Sequence, residues 1–157
     1  MRRWPMAVVL LAAGCAYRGV GFIETMDDRT ILREADGDEV PLALDEAMAP
    51  VSHLGEHLVE VLGRRGLGRV RVEAWRALEG PHGFPVWVGP VQRSDRRVGI
   101  ANVSQQTVTW VDDDAAPELA PYMGDPVAAE GYLEDGRLHV VDWVPLVDGP
   151  RSGAFRP

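Results

Sequence analysis

Short apolar segments separated by turn residues run through this chain from residue 17 onward. Residues 17–26 read as a strand, Asp27 and Asp28 as a turn, and 29–35 as a second strand. Asp36-Gly37-Asp38 is a hairpin signal, because these residues accept the positive φ of a tight turn. In 39–44, Val40, Leu42 and Leu44 alternate, which buries one face, and Pro41 cannot donate to a ladder and so marks an edge. Leu54, Leu58, Val61 and Leu62 recur at three- and four-residue spacings. That period predicts a helix over 53–64, with Ser52 as its N-cap and with Leu58 and Leu62 buried. Arg64 and Arg65 would complement its dipole and Gly66 would end it. Residues 69–77 alternate again, with Val70, Val72 and Ala74 on one side and Arg71, Glu73 and Trp75 on the other. A loop rich in Gly and Pro, 80–83, leads into a strand over 84–91.

Three strands, a helix and two strands is an order that resembles the OB-fold, a small, partly open Greek-key barrel. The second half repeats it in shortened form. Residues 98–103 and 107–111 match the first hairpin, and 117–123 stands where the helix stood. Residues 127–132 lie against 70–75, and Trp143-Val144 against Trp87-Val88. Gly21 and Gly99 are 78 residues apart, whereas Trp87 and Trp143 are 56 apart, so the second copy is 22 residues shorter. The expected fold is all-β with one short helix per module, as two OB-fold-like barrels in tandem. The expected bounds are 15–92 and 97–148, with a polar linker between them and a tail over 149–157. The alternative is a single larger β-barrel or sandwich.

The N-terminus has a different character. Arg2 and Arg3 precede an unbroken apolar run, 6–13, and Gly14 leads into Cys15, the only cysteine. Eight apolar residues fall well short of the roughly 20 that a spanning helix needs. A basic start followed by a short apolar stretch and small residues has the pattern of a signal peptide. Leu11-Ala12-Ala13-Gly14-Cys15 resembles the signal of bacterial lipoproteins. That resemblance implies cleavage after residue 14 and acylation of the Cys15 thiol, palmitate included. Several acyl chains give firm attachment, since each buried CH2 contributes about 0.8 kcal/mol. Ala16 follows the cysteine where an Asp would imply retention at the inner membrane. For a Gram-negative source the implied address is the outer membrane, on its periplasmic face.

Charge narrows the partners further. The chain carries 16 basic and 24 acidic residues, for a formal charge of -8, and every basic residue is Arg. Two arginines lie within residues 1–14, which leaves 14 against 24 in the mature part. Such a surface disfavours nucleic acid and gives no polybasic attraction to anionic lipid. The expected membrane contact is therefore the lipid itself. With its cysteine acylated the mature part would hold no disulfide, and 143 residues are enough to form a core without one.

One string carries a catalytic pattern. His53-Leu54-Gly55-Glu56-His57 is H-x-x-E-H, in which two histidines one helical turn apart bind zinc and the Glu activates water. Glu130 and Glu134 fall where a third ligand would come. Gly55 inside the motif costs about 1 kcal/mol of helix stability. The favoured reading makes His53 and His57 part of a solvated helix face, with weak metal binding as the lesser alternative. Asp112-Asp113-Asp114 lacks the D-x-D-x-D-G spacing of a calcium loop and reads as a solvated turn. No phosphate-binding glycine loop occurs, and the serines lack a nucleophile-elbow context. Trp75 and Trp87 are out of phase with the inward residues around them, so both are expected to face outward. With Arg71 and Arg76 they form a candidate binding surface, or else pack between the modules.

The residues thus predict a lipid-anchored, non-enzymatic binding or accessory protein of the envelope, with no cofactor. Its expected partners are the membrane, through the lipid, and an envelope protein or glycan. The alternatives are a carbohydrate- or peptidoglycan-binding module using the tryptophans, and a small metal-dependent hydrolase using His53, Glu56 and His57.

Overall fold

The computed structural model describes residues 14–148, so all but the last residue of the signal expected over 1–14, and the tail expected over 149–157, lie outside the described residues. The strands are β1 (Cys15–Met26), β2 (Arg29–Glu34), β3 (Glu39–Ala43), β4 (Leu58–Gly66) and β5 (Arg69–Glu79). They continue as β6 (Val86–Ser94), β7 (Arg97–Asn102), β8 (Thr107–Trp110), β9 (Pro126–Glu134) and β10 (Arg137–Pro145). A 3-10 helix, Ala49–His53, joins β3 to β4. The helix α1 (Ala116–Leu119), extended by a 3-10 turn over Ala120–Tyr122, joins β8 to β9.

The first five strands close into a barrel in the order β1-β2-β3-β5-β4. Every pairing is antiparallel except β3 with β5, where Leu42 faces Val70 and Ala43 faces Arg71. Pro41 sits just before that stretch, where its missing N–H costs no ladder bond to β5. Strands β6 to β10 form a second sheet in the order β10-β9-β6-β7-β8, the same connectivity strand for strand. Its closing contact is a parallel bridge between Val111 and Leu138, the counterpart of the β3–β5 pairing. The fold is all-β, two OB-like modules in tandem.

The repeat has a constant offset of 68 positions along most of its length. Gly63 and Gly131 correspond, and a Cβ on either would fall 2.1 or 2.0 Å from the Arg71 or His139 carbonyl oxygen. Gly21 and Gly89 meet the Arg33 and Ala101 carbonyls in the same way. Asp27 and Asp95 turn the first hairpins at φ 52° and 53°. The sequence alignment above was therefore one strand out of step. Residues 84–91, expected to end the first module, contain the opening of β6, which pairs with β7 and β9. Residues 127–132 correspond to β4, not to 70–75. The second copy has its full set of five strands, and the join between the modules falls in 80–85.

The helix predicted over 53–64 is also corrected. Only Ala49–His53 is helical, and Leu58–Gly66 is a strand. Val59 and Val61 are fully buried on the barrel side, whereas Leu62 is exposed and Leu58 half-buried. The three- and four-residue spacing arose because outward-facing Leu62 lies next to inward-facing Val61. β-Branched Val59 and Val61 favour the extended chain.

Each module has its own core. Ile23, Leu32, Val40, Leu54, Val59, Val61, Val70 and Val72 fill the first. Val91, Ile100, Leu119, Val127, Ala129 and Leu138 fill the second. The sheet of the second module is apolar on both faces: Val86, Val88, Ala128, Val144 and Leu146 pack on the first core. Trp87, Ala129 and Trp143 point the other way, into the second. This shared wall explains the run Val127-Ala128-Ala129, which does not alternate.

Gly63→Ala and Gly131→Ala should each destabilise the protein by about 1 to 3 kcal/mol, because the added methyl meets backbone that cannot move aside. Urea denaturation of both variants measures this, and a neutral result at either position would reject the packing described for that module.

Candidate functional site

The loop between the modules is organised by one buried carboxylate. Glu130 stands in β9, fully buried, inside the apolar stretch that forms the shared wall. Its Oε1 accepts the backbone N–H groups of His82 at 2.8 Å and Phe84 at 2.9 Å. Its Oε2 lies 3.0 Å from His82 Nδ1. Burial pushes the Glu130 carboxyl up, but the hydrogen bonds from Phe84 and His82 and the charge of the imidazole outweigh that and hold it below the usual carboxylate range. The loop closes on itself through Gly80 N–H to the Phe84 carbonyl at 2.9 Å. A Cβ at Gly80 would come 2.3 Å from the Glu130 carboxylate, so the approach requires glycine. Across the strand pair from Glu130, in direct register, stands Asp142. Carboxylate and imidazole atoms of His82, Glu130 and Asp142 all lie within 4.8 Å of one another.

A second charged cluster lies on the first barrel. Glu60, nearly buried in β4, accepts Arg18 Nε at 2.6 Å through Oε1 and Arg76 Nη2 at 2.9 Å through Oε2. The Arg18 hydrogen bond is the largest cause holding the Glu60 carboxyl below its ordinary value; burial opposes it, and the charges of Arg18 and Arg76 reinforce it. Both guanidinium groups remain largely exposed.

The tryptophans expected to face outward do not. A register shift between Leu62 and Gly63 leaves Glu73 as an extra residue in β5, which reverses the alternation that follows. Val70 and Val72 point into the barrel before it, and Trp75 packs against the same core after it, while Ala74 is exposed. The equivalent irregularity between Val140 and Asp142 turns Trp143 inward. Trp87 packs into its own module, and Val86 and Val88 make the contact between modules expected of it. Arg71 bonds Glu73 and Arg76 bonds Glu60. Trp75, Trp87, Arg71 and Arg76 therefore do not form one exposed surface.

His53 and His57 share no α-helical face, because the helix ends at His53 and Glu56 has a φ of 65°. His57 is buried, with Nδ1 3.0 Å from the Gly55 carbonyl, which corrects the solvated position expected for it. His53 Nε2 reaches Asp148 at 3.9 Å. Among the described residues, the groups placed to share an ion are His82, Glu130 and Asp142, and Glu34, Asp36 and Asp38; neither includes these two histidines. Asp112 lies on a structured turn, where Oδ1 accepts Ala115 N–H at 2.8 Å and Oδ2 accepts Val140 N–H at 3.2 Å. Cys15 is exposed at the first position of β1, opposite Arg65. His82, Asp142 and Glu60 carried no motif, although an acid within the run Val127-Ala128-Ala129-Glu130 was a visible anomaly. Compared with protein-family models, with curated proteins and with solved structures, the chain matches none.

Glu60 gives a pH prediction with a definite sign. A carboxyl lowered in the folded state contributes stability fully above its ordinary value of 4.5 and loses it as pH falls through the folded-state value. The stability difference between wild type and Glu60→Gln should accordingly be greatest above pH 4.5 and close below it. Urea titrations at stepped pH read the gap, and a gap independent of pH would reject the Arg18–Glu60–Arg76 network as its source.

Proposed function

We propose that this protein is a lipid-anchored envelope protein whose two OB-like modules act as a non-enzymatic binding or accessory unit at the periplasmic face of the outer membrane. The observation that carries the reading is the basic-then-apolar run ending in Ala13-Gly14-Cys15, followed by Cys15 exposed at the start of β1. Acyl chains at that position would leave the barrel core untouched, since the first buried side chains of the module lie farther along the chain. The use made of the ionisable groups supports a binding role over catalysis. Glu60 is neutralised by two arginines, Glu130 holds the inter-module loop, and His57 packs on a backbone carbonyl. With an acidic surface, the expected partner is another envelope component rather than nucleic acid.

Cys15→Ser should abolish incorporation of a fatty-acid label and move the protein from the membrane to the soluble fraction. Retention of the unlabelled variant in membranes would overturn the lipid anchor.

A further inference from the structure

We infer that His82, Glu130 and Asp142 form a site for a divalent transition ion, of which zinc is the representative, and that the ion staples the inter-module loop to the sheet of the second module. The three residues come from three segments: the loop, β9 and β10. Asp142 stands in direct cross-strand register with Glu130. Two like charges so placed repel, and one of these is fully buried; the His82 imidazole faces Glu130, and an ion shared with Asp142 would offset the repulsion between the two carboxylates. The register irregularity just before Asp142 sets this pairing. Without the extra residue, the carboxylate of β10 would not stand opposite Glu130.

The donor set and spacing fit such an ion. One imidazole nitrogen with two carboxylate oxygens suits zinc and its neighbours, whereas calcium takes oxygen ligands alone. Two ligands each about 2.1 Å from zinc are separated by about 3.0 to 3.4 Å when the angle between them is near 90° to 109°. The 3.0 Å between His82 Nδ1 and Glu130 Oε2 falls in that range, and the Asp142 oxygen lies within 4.8 Å of both. Glu130 Oε1 already accepts two backbone N–H groups, which fixes the carboxylate while Oε2 faces His82. That anchoring orients a ligand in the way outer hydrogen bonds do at known metal sites. His82 is exposed, which leaves the ion a path of entry and room for water in its remaining positions.

The test uses the purified full chain, stripped with chelator and titrated with zinc chloride by calorimetry and by thermal melting near pH 7.5. Wild type should bind one equivalent and melt several degrees higher with zinc. Affinity should fall at least tenfold in His82→Ala and in Asp142→Asn, and stay unchanged in His53→Ala. X-ray absorption of the loaded protein should report one nitrogen ligand with the rest oxygen. Asp142→Asn preserves shape and hydrogen bonding at β10, so it remains informative if His82→Ala disturbs the loop. No binding heat and no melting shift up to millimolar zinc would overturn the site, as would equal affinity in wild type and Asp142→Asn, or an equal shift with calcium.

Discussion

Where β6, β9 and β10 meet the first barrel their sheet is packed on both faces, and the arrangement of the two modules depends on it. Strand residues alternate between faces, so one strand can serve two cores only if neither set is polar. Val86 and Val88 turn to the first barrel and Trp87 to the second module, with Ala128 and Ala129 dividing in the same way. At about 25 cal/mol per Å2 of apolar surface removed from water, such a wall is a strong adhesive and gives little directional information. Direction comes from polar contacts made within it, where Glu130 fixes the loop that joins the modules.

Glu130 shows how a buried charge is tolerated when the backbone surrounds it. The same carboxylate inside an apolar wall would cost several kcal/mol without partners. Two N–H donors and an imidazole replace its water. Gly80 lets the loop come close enough to supply them. The glycines at Gly63 and Gly131 serve a related need, since each lies against the carbonyl of a neighbouring strand where no side chain fits.

Fold class was legible from the alternation of apolar residues and from turn residues such as Asp36-Gly37-Asp38, where Gly37 has a φ of 91°. The repeat was legible too, but its phase was not. The tryptophans misled because Trp75 and Trp143 correspond, while Trp87 lies in a strand with another role. A bulge changes which face a residue occupies without changing its spacing, so the alternation before Glu73 reads Trp75 as outward when it packs inward. The helix misread over 53–64 has a similar origin: the two opposite faces of β4 both carry apolar residues, and their sum imitates a helical period. The junction cluster was beyond reach of any local pattern. His82 and Glu130 are 48 positions apart, and the pairing of β6 with β9, which sets Val86 opposite Glu130, brings them into contact.

Strand β1 begins at Cys15 itself. Most tethered proteins explore a volume set by the length of flexible chain between anchor and body, and that volume governs how often they meet a partner. On the proposed lipid, this body would have no such chain, so its search would be confined to a thin layer against the bilayer. A protein held in this way meets partners that diffuse within the same membrane or come up to its surface, and it holds a nearly constant height for them.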